Sequence, residues 1–591
     1  MSGQVFTVPK ATGTSGDDLV AWGLAIFLSS LSDHAVFLRD EGAAFTVTMR
    51  EDLKSLKGRL ANVAPSTGDV DLVPPWMESP NKTHPSAVKH WVDHEQLKQD
   101  YENLKKWRRE HRNGGQEEPA FTVRDQRAHR YRVYNVMTSP GKQWSGYNEF
   151  SATVQEHLAN QAGWEVLLDV YARNQAASDE ELDGMLTTLA LRNKDKRWYN
   201  PPGFLYPGMS EGPTMRFLRS NGIPIGAKRL PEWNSAKRGD RSLFELYLAY
   251  VGFFAVAQVA EAKDRRFVLV PCPAEVELPR GLNYLRDVQI VYMEPDDRFV
   301  VQASLGYGRA ALNHWKEFAE RWGVGSLGLH GVHVNIYWKP NNFTFSLQRA
   351  TFAPLPTWLE AAAMKGFSEA TDLLKRHVKK LYALRDETDP AARKGVEKYL
   401  LSLNGEVKAW LESVREWFRA GLRAERKDGV MSLWKAEDIR KVVDLLDRAG
   451  RLAAILDSES FRNVATAIHD ATVRAHYARK REKKGFPPEY DLMAELASAA
   501  DRGTEEFLQA LFEFVSRYND VTMRMNERVD KEEHRPMLRE KDVDQVAKWV
   551  LEDRTGLLPA ALLAYGSSLY GKEEPDVPAE GAVEEAVSAE E

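Results

Sequence analysis

The stretch Asn193–Pro213 reads NKDKRWYNPPGFLYPGMSEGP. Lys194, Lys196 and Arg197 run straight into Trp198, Tyr199 and Asn200, and prolines and glycines then alternate with aromatic residues. From Arg192 to Arg241 there are eleven Lys/Arg against four acids, a net of +7. Arg216, Arg219, Lys228, Arg229, Lys237 and Arg238 carry that charge downstream, with Phe204, Tyr206, Phe217 and Trp233 between them. Asn200, Asn221 and Asn234 add side chains that both donate and accept hydrogen bonds. A solvated basic face needs no aromatics, and a core segment needs no arginine. Cations neutralise phosphates, rings stack on bases, and glycines admit a close backbone approach, so this mixture suits nucleic-acid binding. The prolines and glycines predict a loop.

Two further basic patches sit on predicted helices. Lys105, Lys106, Arg108 and Arg109 lie in KKWRREHR, and Arg479, Lys480, Lys483 and Lys484 lie in RAHYARKREKKGFPP. Each has two readings: cations that follow a phosphate backbone, or last-turn cations that complement a helix dipole.

Catalytic signatures are sparse. GVGSLG near Gly323 lacks the lysine of a phosphate loop. LGYGRAALNHW is expected to open a helix, where its amides and Arg309 either bind phosphate or simply form a turn. His330 and His333 fall in a predicted strand at a spacing of three, on opposite faces, which argues against a shared metal. His469–Asp470 matches the dipeptide of the HD-type metal phosphohydrolases, with His377, His476 and Asp520 as conceivable partners. The competing reading of NVATAIHDATVRAHYARK is a helix-packing His469 beside an exposed Asp470. No nucleophile elbow, kinase motif or acid–base signature occurs, and the expectation is a protein that is not an enzyme and holds no cofactor and no metal.

The elements that must position these residues divide by type. DDLVAWGLAIFLSSL predicts a helix capped by its Asp pair, followed by the hairpin AVFLRD–EG–AAFTVTM with period-two alternation. Ser242–Ala262 predicts a helix, RRFVLVPCP a strand, and VQIVYMEPDDRFVVQASL a hairpin turning at Glu294–Asp297. RAALNHWKEFAERWG predicts a helix closed by Gly323, and LHGVHVNIYW with NFTFSLQRA a second hairpin. Beyond about Thr357 the strand signals vanish and amphipathic helices follow one another. The expected fold is therefore α+β with antiparallel hairpins over 1–355, an all-α helical bundle over 356–570, and a disordered acidic tail over 571–591.

At 591 residues, 43% apolar and 28% charged, the composition is that of a globular chain with several cores. The net charge of −6 misleads, because Gly571–Glu591 carries eight acids and one lysine, a net of −7, which leaves +1 for the rest. The single cysteine, Cys272, argues against an internal disulfide and a cysteine-based zinc site, which predicts a cytoplasmic protein with Cys272 buried in a strand. No signal-peptide pattern is visible, and LFELYLAYVGFFAVAQVA is interrupted by Glu245 and Gln258, which predicts a buried helix rather than a membrane span.

Taken together the chain resembles the large subunit of type I CRISPR Cascade complexes, the Cas-eight family. The residues that carry the likeness are LVAWGLAIFLSSL leading into a hairpin with the RDEGAAFTV turn, the loop RWYNPPGFLYPGMSEG, the helix LFELYLAYVGFF, the strand RFVLVPCPAEV, and the helical second half. The resemblance implies a non-catalytic subunit that works among CRISPR RNA-containing Cascade subunits. Its α+β part would read the protospacer-adjacent motif on double-stranded target DNA, help to open the duplex and recruit the CRISPR helicase–nuclease. Its helical part would line the path of the displaced single strand. Some members of the family also supply a small subunit from an internal start, which offers one reading of Met431 in RKDGVMSLW, a loop methionine being the other. Changing Met431 to a non-start codon should remove a smaller C-terminal product, seen by blotting; if no such species disappears, the internal start does not exist.

Overall fold

Alternation in the first hairpin shows how the chain begins to fold. In β2 (Val36–Asp40) and β3 (Ala44–Met49), Val36, Leu38, Phe45, Val47 and Met49 are buried, and their neighbours face outward or are half-buried. Gly42 makes the turn at a φ of 85°. β1 (Gln4–Pro9) pairs antiparallel with β3, and β10 (Glu275–Leu278) pairs antiparallel with β2, giving a sheet of order β1-β3-β2-β10. A second sheet has the order β12-β11-β9-β8, from β8 (Gln258–Ala262), β9 (Arg265–Pro273), β11 (Leu329–Asn341) and β12 (Thr344–Pro354). Two small ladders, β4 (Ser66–Thr67) with β5 (Val70–Asp71) and β6 (Trp76–Glu78) with β7 (Val88–His90), complete the strands among the described residues.

The computed structural model describes residues 4–10, 14–60, most of 248–285, 288, most of 296–382, 389–425, most of 433–476, 490–528 and 534–570. It also describes the short ladders and isolated helical positions at 106, 109, 110, 168 and 172. The chain divides into one unit of Met1–Gln289 with Asn313–Phe352, and another of Ile290–Leu312 with Ala353–Glu591. The architecture is an N-terminal α+β region of antiparallel hairpins and helices followed by a helical region. Among the described residues from 357 to 570 no strand occurs. The acidic tail over 571–591 lies outside the described residues.

In the first unit, helix α1 (Ser15–Leu31) is buried along almost its whole length. Being apolar on every side, it can only be a core helix. Its cap is Thr14, whose side chain accepts from the Gly16 amide at 3.2 Å, and the Asp pair lies inside the first turn instead. Trp22 is fully buried and donates its indole N–H to the Pro271 carbonyl at 2.9 Å, fixing α1 to β9. A second helical stretch, carrying Leu248 and Gly252, touches α1 backbone to backbone. A Cβ on Gly23 would lie 1.8 Å from the Leu248 carbonyl oxygen, and one on Gly252 would lie 2.2 Å from that of Leu19. After α2 (Leu53–Arg59), the short α3 (Gly281–Leu285) follows β10, and α4 (Asp297–Trp322) ends at Gly323, whose φ is 72°.

Two expected elements differ. The helix predicted over Ser242–Ala262 ends by Val256, and Gln258–Ala262 instead forms β8 on β9. Gln258 donates its side-chain amide to the Leu285 carbonyl at 2.9 Å, a tertiary contact that local propensity cannot foresee. The hairpin predicted around Glu294–Asp297 is absent, because α4 starts at Asp297 and runs for 26 residues. Asp296 supplies the start by accepting from the Arg298 and Phe299 amides at 3.0 and 3.3 Å. Gly306 and Gly308 are therefore mid-helix, where their amides are used within the helix, so the phosphate-binding reading of LGYGRAALNHW fails.

The second unit is built from helices that include Thr357–Lys365, Phe367–Tyr382, Pro390–Ser402 and Val407–Glu425. Trp358, Tyr399, Trp410, Trp417 and Trp434 are among its largest fully buried side chains. A buried charge network lies beside them: Glu416 meets Arg415 at 2.9 Å and Arg419 at 3.1 Å, and Arg415 reaches Asp501 at 3.2 Å. Lys394 joins the same network, meeting Asp501 at 3.3 Å, and removal of buried Arg415 would leave Glu416 with less compensation.

The α1 crossing yields a direct test. Gly23→Ala and Gly252→Ala should each lower the unfolding free energy by about 1–3 kcal/mol or more, since backbone rather than a flexible side chain must give way. Gly58→Ala in α2, where nothing lies within 4 Å, should be neutral or stabilising by up to about 1 kcal/mol, as read by urea denaturation.

Candidate functional site

Of the basic residues singled out from sequence, Lys106 and Arg109 are helical and exposed. Lys105 and Arg108, the loop positions from Lys194 to Arg238 including Lys196, Arg197, Trp198, Tyr199 and Asn200, and the patch from Arg479 to Lys484 lie outside the described residues. Met431 does also.

Within the first unit the described residues assemble a different polar centre. The N-terminus of α1 places Asp18 in its first turn, buried at 3% exposure, where the helix dipole favours a carboxylate. Trp22, one turn on, holds that end of the helix against β9. Asp18 Oδ2 meets His333 Nε2 at 2.9 Å, and the Asp18 side chain is also hydrogen-bonded with the thiol of Cys272. The strands explain the meeting. In the antiparallel β9–β11 ladder Cys272 is opposite Gly331, so His333, two residues on, shares its face, and Gly331 adds no side chain to crowd it.

His330 sits at a bulge between Leu329 and Gly331 and reaches another carboxylate, Asp40, at 3.3 Å. Asp40 also takes Lys10 at 2.7 Å and the Gly42 amide at 2.8 Å. The two histidines thus pair with different acids. Burial, then Asp18 and Asp40, push the Cys272 thiol well above its ordinary range. A thiol so held stays protonated and is a poor nucleophile. Among the described residues Asp18, Cys272 and His333 are the one group of three whose donor atoms, all within 4.8 Å of one another, could hold a metal ion. The spacing of three separates His333 from His330, as the structure does, but it names no partner for either. Positions 18, 272 and 333 have no spacing to betray them, and only a buried acid in a first helical turn hints at the site.

The HD-type candidates are scattered through the second unit. His469 ends the helix Glu459–His469 and packs edge-on against Tyr570 at 4.7 Å. Asp470 is buried at 2% exposure and meets Arg474 at 3.3 Å, which corrects the expectation of an exposed acid. The helix is buried on every side here, since each residue from Ala467 to Val473 is buried, and a π-helical turn spans Asp470–Arg474. Asp520 is exposed, His476 pairs with the Tyr490 hydroxyl, and His377 belongs to the aromatic core. The His377 ring lies 4.5 Å from Trp358, 4.8 Å from Trp434 and 5.3 Å from Trp410, and its Nδ1 meets the Tyr399 hydroxyl at 2.6 Å.

Burial among these rings, with a smaller contribution from Arg376, lowers His377 to about 3. Between the ordinary 6.5 and about 3, the unfolded chain binds a proton that the folded chain does not. Stability is therefore full above pH 6.5 and falls as the pH drops through this window, by at most about 1.4 kcal/mol per unit. His377→Phe should flatten that part of the stability–pH curve, measured by denaturation at several pH values between 7.5 and 4; an unchanged slope would contradict this role. No protein-family model matches the chain, and no curated protein is significantly similar to it.

Proposed function

We propose that this chain is a non-catalytic, nucleic-acid-binding large subunit of a type I CRISPR RNA-guided complex. The observation that carries the reading is the segment Arg192–Arg241, whose net charge of +7 is interleaved with aromatic residues, glycines and prolines. Its cations neutralise backbone phosphates, its rings stack on exposed bases, and its glycines let the chain lie close to a duplex. The order of the chain, an α+β region and then helices, supports the same reading, as does the absence from the sequence of any nucleophile elbow or kinase motif.

In this reading the α+β part reads the protospacer-adjacent motif and helps to part the strands. Replacing DNA pairs by RNA–DNA pairs is a nearly balanced exchange, so modest protein contacts suffice to tip it. A stacked base contributes about 1–3 kcal/mol, which is enough to hold a displaced strand. The helical part lines that strand's path, and the assembled complex recruits the helicase–nuclease. The chain works in the cytoplasm with the CRISPR RNA-bearing subunits.

Among the described residues no helix is long and apolar enough to cross a membrane.

Lys196→Ala combined with Arg197→Ala should weaken binding to target duplex and reduce the slope of log K against log salt by about two units, one for each lost phosphate contact. Assembly with the guide-bearing subunits should be unchanged. Mobility-shift titrations across a salt series read both quantities, and unaltered binding in the double variant would overturn the assignment of this loop.

A further inference from the structure

We propose that Asp18, Cys272 and His333 form a binding site for a divalent transition metal, zinc by preference. The proposal is independent of the nucleic-acid reading. Three observations carry it. The three donors differ in kind, a carboxylate oxygen, a thiol sulfur and an imidazole nitrogen, and all lie within 4.8 Å of one another. That mixture suits borderline Zn2+ better than the hard ions Mg2+ and Ca2+, which take oxygen ligands. The second observation is electrostatic. Asp18 is nine-tenths buried, and its ion-pair partner is His333, which carries charge only when protonated. The nearby Lys10 is engaged with Asp40. Buried carboxylates are ordinarily paired with a cation or coordinated to one, and a metal supplies that charge here.

The third observation is mechanical. The donors sit on α1, β9 and β11, elements already locked together by the Trp22–Pro271 hydrogen bond and the β9–β11 ladder. Ligand atoms around tetrahedral zinc stand about 3.3–3.6 Å apart, given bonds of about 2.0–2.3 Å. The Nε2–Oδ2 separation of 2.9 Å thus needs to open by only about half an ångström, and the His333 ring, packed against Phe352 at 5.3 Å, stays partly exposed. On binding, the Cys272 S–H bond breaks, its sulfur bonds to zinc, and the proton leaves to solvent. Water completes the fourth position on the side where His333 is accessible. The ion ties residues 18, 272 and 333 into one cross-link and so acts as a staple for the first unit.

The test uses the full chain, stripped with a chelator and titrated with Zn2+ and Co2+. One equivalent should bind. Co2+ should produce the near-ultraviolet absorption of a thiolate-to-metal transition, and Zn2+ should raise the melting temperature. Cys272→Ser should abolish the band, and Asp18→Asn or His333→Gln should each weaken binding roughly tenfold or more. His330→Ala, which removes only the Asp40 partner, should bind as the parent does. A parent chain that binds no equivalent of either ion, or a Co2+ complex without the thiolate band, overturns the proposal irrespective of how the variants fold. Binding that survives Cys272→Ser and His333→Gln unchanged overturns it as well.

Discussion

Gly23 and Gly252 allow two helices to touch through their backbones, and the polar centre of the first unit depends on that contact. The hypothetical Cβ positions fall 1.8 and 2.2 Å from facing carbonyl oxygens, so neither position tolerates a side chain without parting the helices. On another face α1 carries Trp22 to the Pro271 carbonyl and Asp18 to His333. The polar centre thus follows from steric permission at two glycines, and its chemistry is set by which side chains the permitted geometry brings into contact.

The second unit solves a different problem. Its core is unusually rich in large rings, and rings rarely fill space alone without leaving polar edges unpaired. His377 serves as a polar plate among Trp358, Trp410 and Trp434, tied through Nδ1 to Tyr399. Nearby, buried Arg415 and Glu416 carry charge inward on one helix, and Arg415 reaches exposed Asp501 on a helix distant in sequence. Neither arrangement resembles a reaction centre. The charge pair favours one meeting of helices, since a misplaced helix would leave a buried charge unmatched.

The elements whose own periodicity decides them were legible in the sequence. The β2–β3 hairpin, α1, β9, the β11 and β12 strands, and the helices after Thr357 all occur where alternation or amphipathic spacing predicts them. Misread segments are those where a tertiary contact outweighs local preference. Gln258–Ala262 continues a helical pattern yet pairs with β9, and RFVVQASL has the β-branched look of a strand yet follows the Asp296 cap into α4. Asp470 falls on the polar side of a 3.6-residue period, yet the helix is buried on every side from Ala467 to Val473, which the pattern of that segment alone does not reveal.

The sequence by itself determined the order of α+β then helical architecture, the burial of Cys272, and the presence of a basic aromatic segment at Arg192–Arg241. These depend on composition and short-range periodicity, which each stretch of chain carries alone. Only the tertiary structure decided that Asp18, Cys272 and His333 would share one site, and that His330 would turn to Asp40 instead. Their meeting requires three segments separated by up to hundreds of residues to dock in one register. That register is fixed by a strand bulge, a ladder and a glycine-permitted helix crossing, none of which any single segment encodes.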